Sequence, residues 1–230
     1  SIPRQALIEH LNEYVTCYCG VKCIGITDEG MEVADSYGNH AVLPADTVVL
    51  AAGMRARAKQ AEEFGFTAVW FPVSKIPTNP EYLKYCEVNR CGNYGANYAC
   101  PPDCGTPDEM RARLDSAREA LVLQSLWEIP GYGTPEVLTS KAEHGAAVRR
   151  FRDSLRKEGF DVFAVGYGSC PICKPCKRKA GEPCPMPDQR VSCMSAYCID
   201  AGELAKRCDL PFAWNPQRLH LFGMIMFRGE

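Results

Sequence analysis

Four cysteines fall within one short stretch, Cys170-Pro-Ile-Cys173-Lys-Pro-Cys176-Lys-Arg-Lys-Ala-Gly-Glu-Pro-Cys184-Pro, and their spacing, C-x2-C-x2-C-x7-C, constrains the chain more than any other feature. Two residues between thiolates let a tight turn aim both sulfurs at one centre while its amide N–H groups point at the sulfurs. Two such steps in series place three sulfurs around that centre, and a longer loop brings the fourth. Iron–sulfur clusters take four thiolates, and bacterial ferredoxins combine C-x2-C-x2-C with a further Cys followed by Pro. Structural zinc more often uses two separated C-x2-C pairs. The triple step therefore leans towards an iron–sulfur cluster, with zinc, disulfides or free thiols as the alternatives. Lys174, Lys177, Arg178 and Lys179 sit in the same loop. They are either cations that oppose the charge of four thiolates and dock an acidic redox partner, or a solvated basic loop.

Fourteen cysteines in 230 residues is an unusually high content. A secreted disulfide scaffold is one explanation, but such chains are usually much shorter and follow a signal peptide. The chain opens Ser-Ile-Pro-Arg without a signal-peptide pattern. Length and tight cysteine spacing point instead to a cytoplasmic protein whose thiolates hold metal. The net charge of −2 gives no reason to expect nucleic acid or an anionic membrane as partner. No apolar run approaches the ~18–20 residues of a membrane span.

A second group, Cys86-x4-Cys91-x8-Cys100-x3-Cys104, also supplies four thiols. Glycines in Cys91-Gly92-Asn93-Tyr94-Gly95 permit close backbone approach, and Pro101-Pro102 fix the chain after Cys100. Metal ligation by Cys86, Cys91, Cys100 and Cys104 is expected, against sharing of one site with the other group or simple burial. Cys193 and Cys198 are read as structural thiols near the second group. Cys17, Cys19 and Cys23 are read as small buried residues on a strand. The histidines are scattered and none has an i, i+4 partner, so no catalytic residue is assigned.

The texture of the chain changes near residue 57. Residues 1–57 read as α/β: a helical pattern over Ile2–Glu13, strands around Val21–Thr27 and Met31–Asp35, and a doubly buried strand over Asp46–Gly53. Residues 58–230 read as α+β, a mixed sheet covered by helices on one face and interrupted by the cysteine loops. Expected strands are Phe66–Val73, Ala120–Trp127, Asp161–Tyr167 and Leu219–Phe227. Expected helices run from the capping signal Thr106-Pro-Asp-Glu109 to about Arg118, from Glu136 to Glu158, and near Ala201–Lys206.

Two resemblances add to this. Arg4-Gln-Ala-Leu7, Ile24 with Thr27, and above all Ala45-Asp-Thr-Val-Val-Leu-Ala-Ala-Gly-Met-Arg55 resemble part of the nucleotide-binding region of NADH:flavin oxidoreductase and 2,4-dienoyl-CoA reductase-type flavoproteins. The resemblance makes residues 1–57 the tail of a larger fold. They lack a G-x-G-x-x-G turn, so FAD or NAD binding is expected only if a complete flavoprotein domain lies upstream. It implies a flavin oxidoreductase domain, or another redox protein, as partner. Residues 58–230 resemble a family of uncharacterised, predicted metal-binding proteins of bacteria and archaea. The matching motifs are Cys86 with Asn89-Arg-Cys91-Gly-Asn-Tyr-Gly95, Cys100-Pro-Pro, the Cys170–Cys176 run, Gly181-Glu-Pro-Cys184, and Ser195-Ala-Tyr197. This resemblance implies a metal, an iron–sulfur cluster first of all, without supplying a reaction.

Overall fold

The computed structural model describes residues 16, 18, 20–48 and 53–228. The chain divides into two compact units, Ser1–Ala52 and Gly53–Glu230. The expected helix over Ile2–Glu13, most of the expected strand over Asp46–Gly53, and Cys17 and Cys19 lie outside the described residues.

In the first unit, β1 (Lys22–Thr27), β2 (Gly30–Ala34) and β3 (His40–Pro44) form an antiparallel meander in the order β1-β2-β3. β3 has no strong sequence signal. Gly30 opens β2 at φ 138°, and a Cβ there would lie 2.1 Å from the Leu43 carbonyl oxygen, so only glycine allows the register. Asp35 shapes the following turn by accepting from the amides of Tyr37 (2.8 Å) and Asn39 (2.9 Å). Cys23 is exposed on β1, not buried as its pattern suggests.

The second unit starts with a helix that the sequence reading does not anticipate, α1 (Gly53–Glu62). Around it are β4 (Thr67–Pro72), α2 (Leu83–Glu87), α3 (Pro107–Asp115), β5 (Glu119–Glu128), α4 (Pro135–Lys157), β6 (Val162–Val165), α5 (Ala201–Arg207) and β7 (Arg218–Phe227). All four expected strands and all three expected helices are present within a few residues of their sequence limits. The α3 start is a complete capping box: Glu109 N–H donates to Thr106 Oγ1 (3.3 Å) and Thr106 N–H to Glu109 Oε2 (2.8 Å).

The α+β class holds, with two corrections. The sheet, in the order β4-β5-β7-β6, is antiparallel throughout rather than mixed. The long helix α4 does carry the chain from β5 to a parallel β6, as a helical crossover should. However, β7 occupies the slot between them and pairs antiparallel with both. Helices also cover both faces, not one. Leu121, Leu123, Ile225 and Phe227 meet Ala147, Val148, Phe151 and Leu155 of α4, with Ala61 of α1. Ala120, Val122, Phe222, Met224 and Met226 on the opposite face meet Met110 and Leu114 of α3, Leu204 and Ala205 of α5, and Met194 and Tyr197. The reason is in the strands: residues 120–125 and 221–227 are buried without a break, so neither face can be left to water.

His144 of α4 is completely buried, with Nδ1 2.7 Å from Ser125 Oγ, which also accepts from Trp127 Nε1 (2.7 Å). Burial pushes its pKa down to about 4. The unfolded chain takes up this proton near pH 6.5, the folded chain only near pH 4, so acid favours unfolding. Stability is fully present above about pH 6.5 and falls by up to about 3 kcal/mol as pH drops towards 4. Urea unfolding of the metal-free, reduced protein at about pH 7 and about pH 5 should show the loss, and His144→Asn should flatten it.

Candidate metal centre

The second cysteine group follows the end of β6. A single 3-10 turn, Lys177–Ala180, folds it back, with Lys179 N–H donating to the Cys176 carbonyl (3.1 Å) and Glu182 N–H to that of Lys177 (3.1 Å). This return brings Cys184 beside the C-x2-C-x2-C segment. Cys170, Cys173, Cys176 and Cys184, all half-buried, line one small pocket together with Ile172 and Met186.

The far wall of that pocket is Asn97 and Tyr98, from between the cysteines of the first group. Asn97 Nδ2 donates to the Cys170 carbonyl (2.9 Å), and Tyr98 Oη to that of Glu182 (2.7 Å). Arg178 Nε lies 2.6 Å from Asp103 Oδ1, and Lys177 pairs with Glu182 at 2.9 Å. Two of the four loop cations thus brace the loop, Lys177 within it and Arg178 against the first group. Tyr98, although it lies between Cys91 and Cys100 in the chain, belongs to the wall of the second group's pocket.

Asparagines stitch the first group into shape. Asn89 Oδ1 accepts from Tyr94 N–H (3.0 Å), Asn93 Nδ2 donates to the Cys91 carbonyl (2.8 Å), and Asn97 Oδ1 accepts from Ala99 N–H (3.0 Å). Cys86, on α2, and Cys91 and Cys100, on this loop, line a cleft of about 620 Å³. Tyr85, Tyr94, Phe212 and His220 line it too, and His220 Nδ1 is buried without a hydrogen-bond partner. Cys104 does not reach that cleft. Its thiol is buried, 3.9 Å from the Gly105 carbonyl, and lines a separate hollow with Arg113 and Tyr197.

Cys193 is the residue that sequence spacing misplaces. It follows the second group in the chain, but a parallel bridge to Gly166 at the end of β6 turns it towards the first, where it lines the same cleft as Cys86, Cys91 and Cys100. No spacing motif announces it; the only signal is a cysteine immediately before a short turn. Cys198 is buried, as its structural reading expects.

Electrostatics ties these thiols together. Burial first, then the neighbouring thiols, push Cys86 up to about 11 and Cys100 higher still. Burial, then Cys193, raises Cys104 to about 11. Burial also raises Cys193 itself. Without a cation the thiols stay protonated, and a metal bound here displaces their protons.

All twelve described cysteines are free thiols, so the disulfide alternative has no instance among them. No group of three or more His, Cys, Asp and Glu side chains among the described residues is already arranged to hold a single metal ion. The thiols border pockets instead, so single-ion binding calls for side-chain rotation and a wider group for less. Soft donors gathered at two places, with few carboxylates among them, fit a thiophilic metal.

The second unit is thus an α+β domain that presents free thiols to separate pockets from two neighbouring loops. The chain belongs to the DUF2284 family of predicted metal-binding proteins, whose model matches residues 69–227. No significant match exists among curated proteins or solved structures. Among the described residues no helix is long and apolar enough to cross a membrane.

The Asp103–Arg178 pair can be tested directly. Asp103→Asn should leave the fold intact yet speed chelator extraction of metal from the second loop by about 10-fold, because the loop loses its anchor to the first group. Extraction kinetics followed by a colorimetric chelator check this.

Proposed function

We propose that residues 58–230 carry a [4Fe–4S] cluster on Cys170, Cys173, Cys176 and Cys184, and that the chain is a redox or electron-transfer accessory module of a flavin-dependent oxidoreductase. The observation that carries this reading is the gathering of these four free thiols around one small pocket by a C-x2-C-x2-C-x7-C loop. Two-pair zinc sites lack that triple step.

When bound, such a cluster accepts and releases one electron at a time. The protein's own groups set its surroundings. Ile172 and Met186 contribute apolar lining to the pocket, and Asn97 and Tyr98 hold the loop backbone by hydrogen bonds. Lys177 and Arg178 bring positive charge beside Cys173 and Cys176, which would raise the reduction potential of a cluster held there. The flavin part of the proposal rests on the resemblance of Ala45–Arg55 to flavoproteins. Its expected setting is a partner that delivers or takes up electron pairs while the cluster moves them singly.

Protein purified without oxygen should be brown, with absorbance near ~400 nm that bleaches with dithionite. Cys173→Ser should remove about four irons per chain. A colourless protein with stoichiometric zinc would overturn the redox reading and leave a zinc-stabilised binding domain.

A further inference from the structure

The four cysteines of the first sequence group do not share one cavity, and a fifth cysteine takes the vacant place. Cys86, Cys91 and Cys100 line the 620 Å³ cleft, while Cys104 opens on the hollow beside Arg113 and Tyr197. Cys193 joins the three from the other side of the chain.

Its position is well fixed. Gly166 N–H donates to the Ser192 carbonyl (2.9 Å) and Met194 N–H to that of Gly166 (3.2 Å), which anchors Cys193 to the end of β6. Gly166 has no room for a side chain, since a Cβ would lie 2.7 Å from Val191 Cγ1. Cys193 then opens a single 3-10 turn, Met194–Tyr197, and its carbonyl accepts from Ala196 N–H (3.0 Å). Cys104 is placed differently: it packs with Met110 and Leu114 in the core, and its thiol donates to the Gly105 carbonyl (3.9 Å).

We infer that the first metal site is built from Cys86, Cys91, Cys100 and Cys193, with Cys104 outside it. This rests on the reading that the first loop binds a thiophilic metal at all. The site draws its donors from α2, from the asparagine-stitched loop and from the segment after β6. It therefore closes only when the sheet that positions β6 is formed. The metal it takes is one that accepts four thiolates, iron with sulfide or zinc.

The full chain should be reconstituted without oxygen, in parallel, with ferrous iron plus sulfide and with zinc alone. Bound metal is then counted for the unmutated protein and for Cys100→Ser, Cys193→Ser and Cys104→Ser. Cys100→Ser and Cys193→Ser should each lose about half of the total metal, the second loop keeping its share, and Cys104→Ser should lose none. Loss by Cys104→Ser, alone or together with Cys193→Ser, overturns the assignment, and so does full retention by Cys193→Ser. Retention by Cys100→Ser instead removes the metal reading of the first loop. Should Cys193→Ser fail to fold, alkylation of the unmutated protein decides. Cys193 should become reactive on adding a chelator, with Cys104 labelling unchanged, and equal Cys193 labelling before and after chelation counts against the site.

Discussion

Buried thiols placed close together face one electrostatic constraint: in a medium of low polarity they cannot ionise together without a cation. Cys86, Cys100 and Cys104 each feel the charge of Cys193, and burial already holds all four protonated. Any cation that enters gains several thiolates at once and releases their protons. The fold around them can be understood as a means of keeping such a group together without disulfides. Asparagine side chains, backbone turns and two ion pairs hold the loops where regular secondary structure cannot.

The sheet supplies the rigidity. β5 and β7 are buried on both faces, and the register Val122↔Met224 lies at the centre of a core shared by α3 and α5 on one side and α4 on the other. From this frame the cysteine segments emerge at fixed points: α2 before α3, the long loop after β6, and Cys193 where the chain returns to Gly166. The two loops then use each other as walls, through Asn97, Tyr98 and Asp103.

Much of this was legible in the sequence, for identifiable reasons. The capping box at Thr106 and the long amphipathic pattern before Gly159 located α3 and α4, because helix ends and faces are written in local residue types. The unbroken apolar runs marked β5 and β7 as central. Strand order was not legible, since the α4 crossover suggests neighbours and nothing local says that β7 separates them. α1 escaped notice because its residues, Gly53–Glu62, lie where a strand-like run ends and are mostly polar or small. At the site, Cys170, Cys173, Cys176 and Cys184, close together in sequence, line one pocket, whereas Cys86, Cys91 and Cys100 share their cleft with the distant Cys193 and Cys104 lines another hollow. Donors contributed across long sequence separations depend on topology, which a spacing motif does not encode.

That topology also bears on how the protein is made. β7 joins β5 to β6, yet it follows every cysteine in the chain. A ribosome therefore releases all fourteen thiols before the strand that closes the sheet exists. Until then the thiols stay open to oxidants and to unwanted ions alike. Burial of Cys100, Cys104, Cys198 and Cys208 thus waits on the docking of that strand.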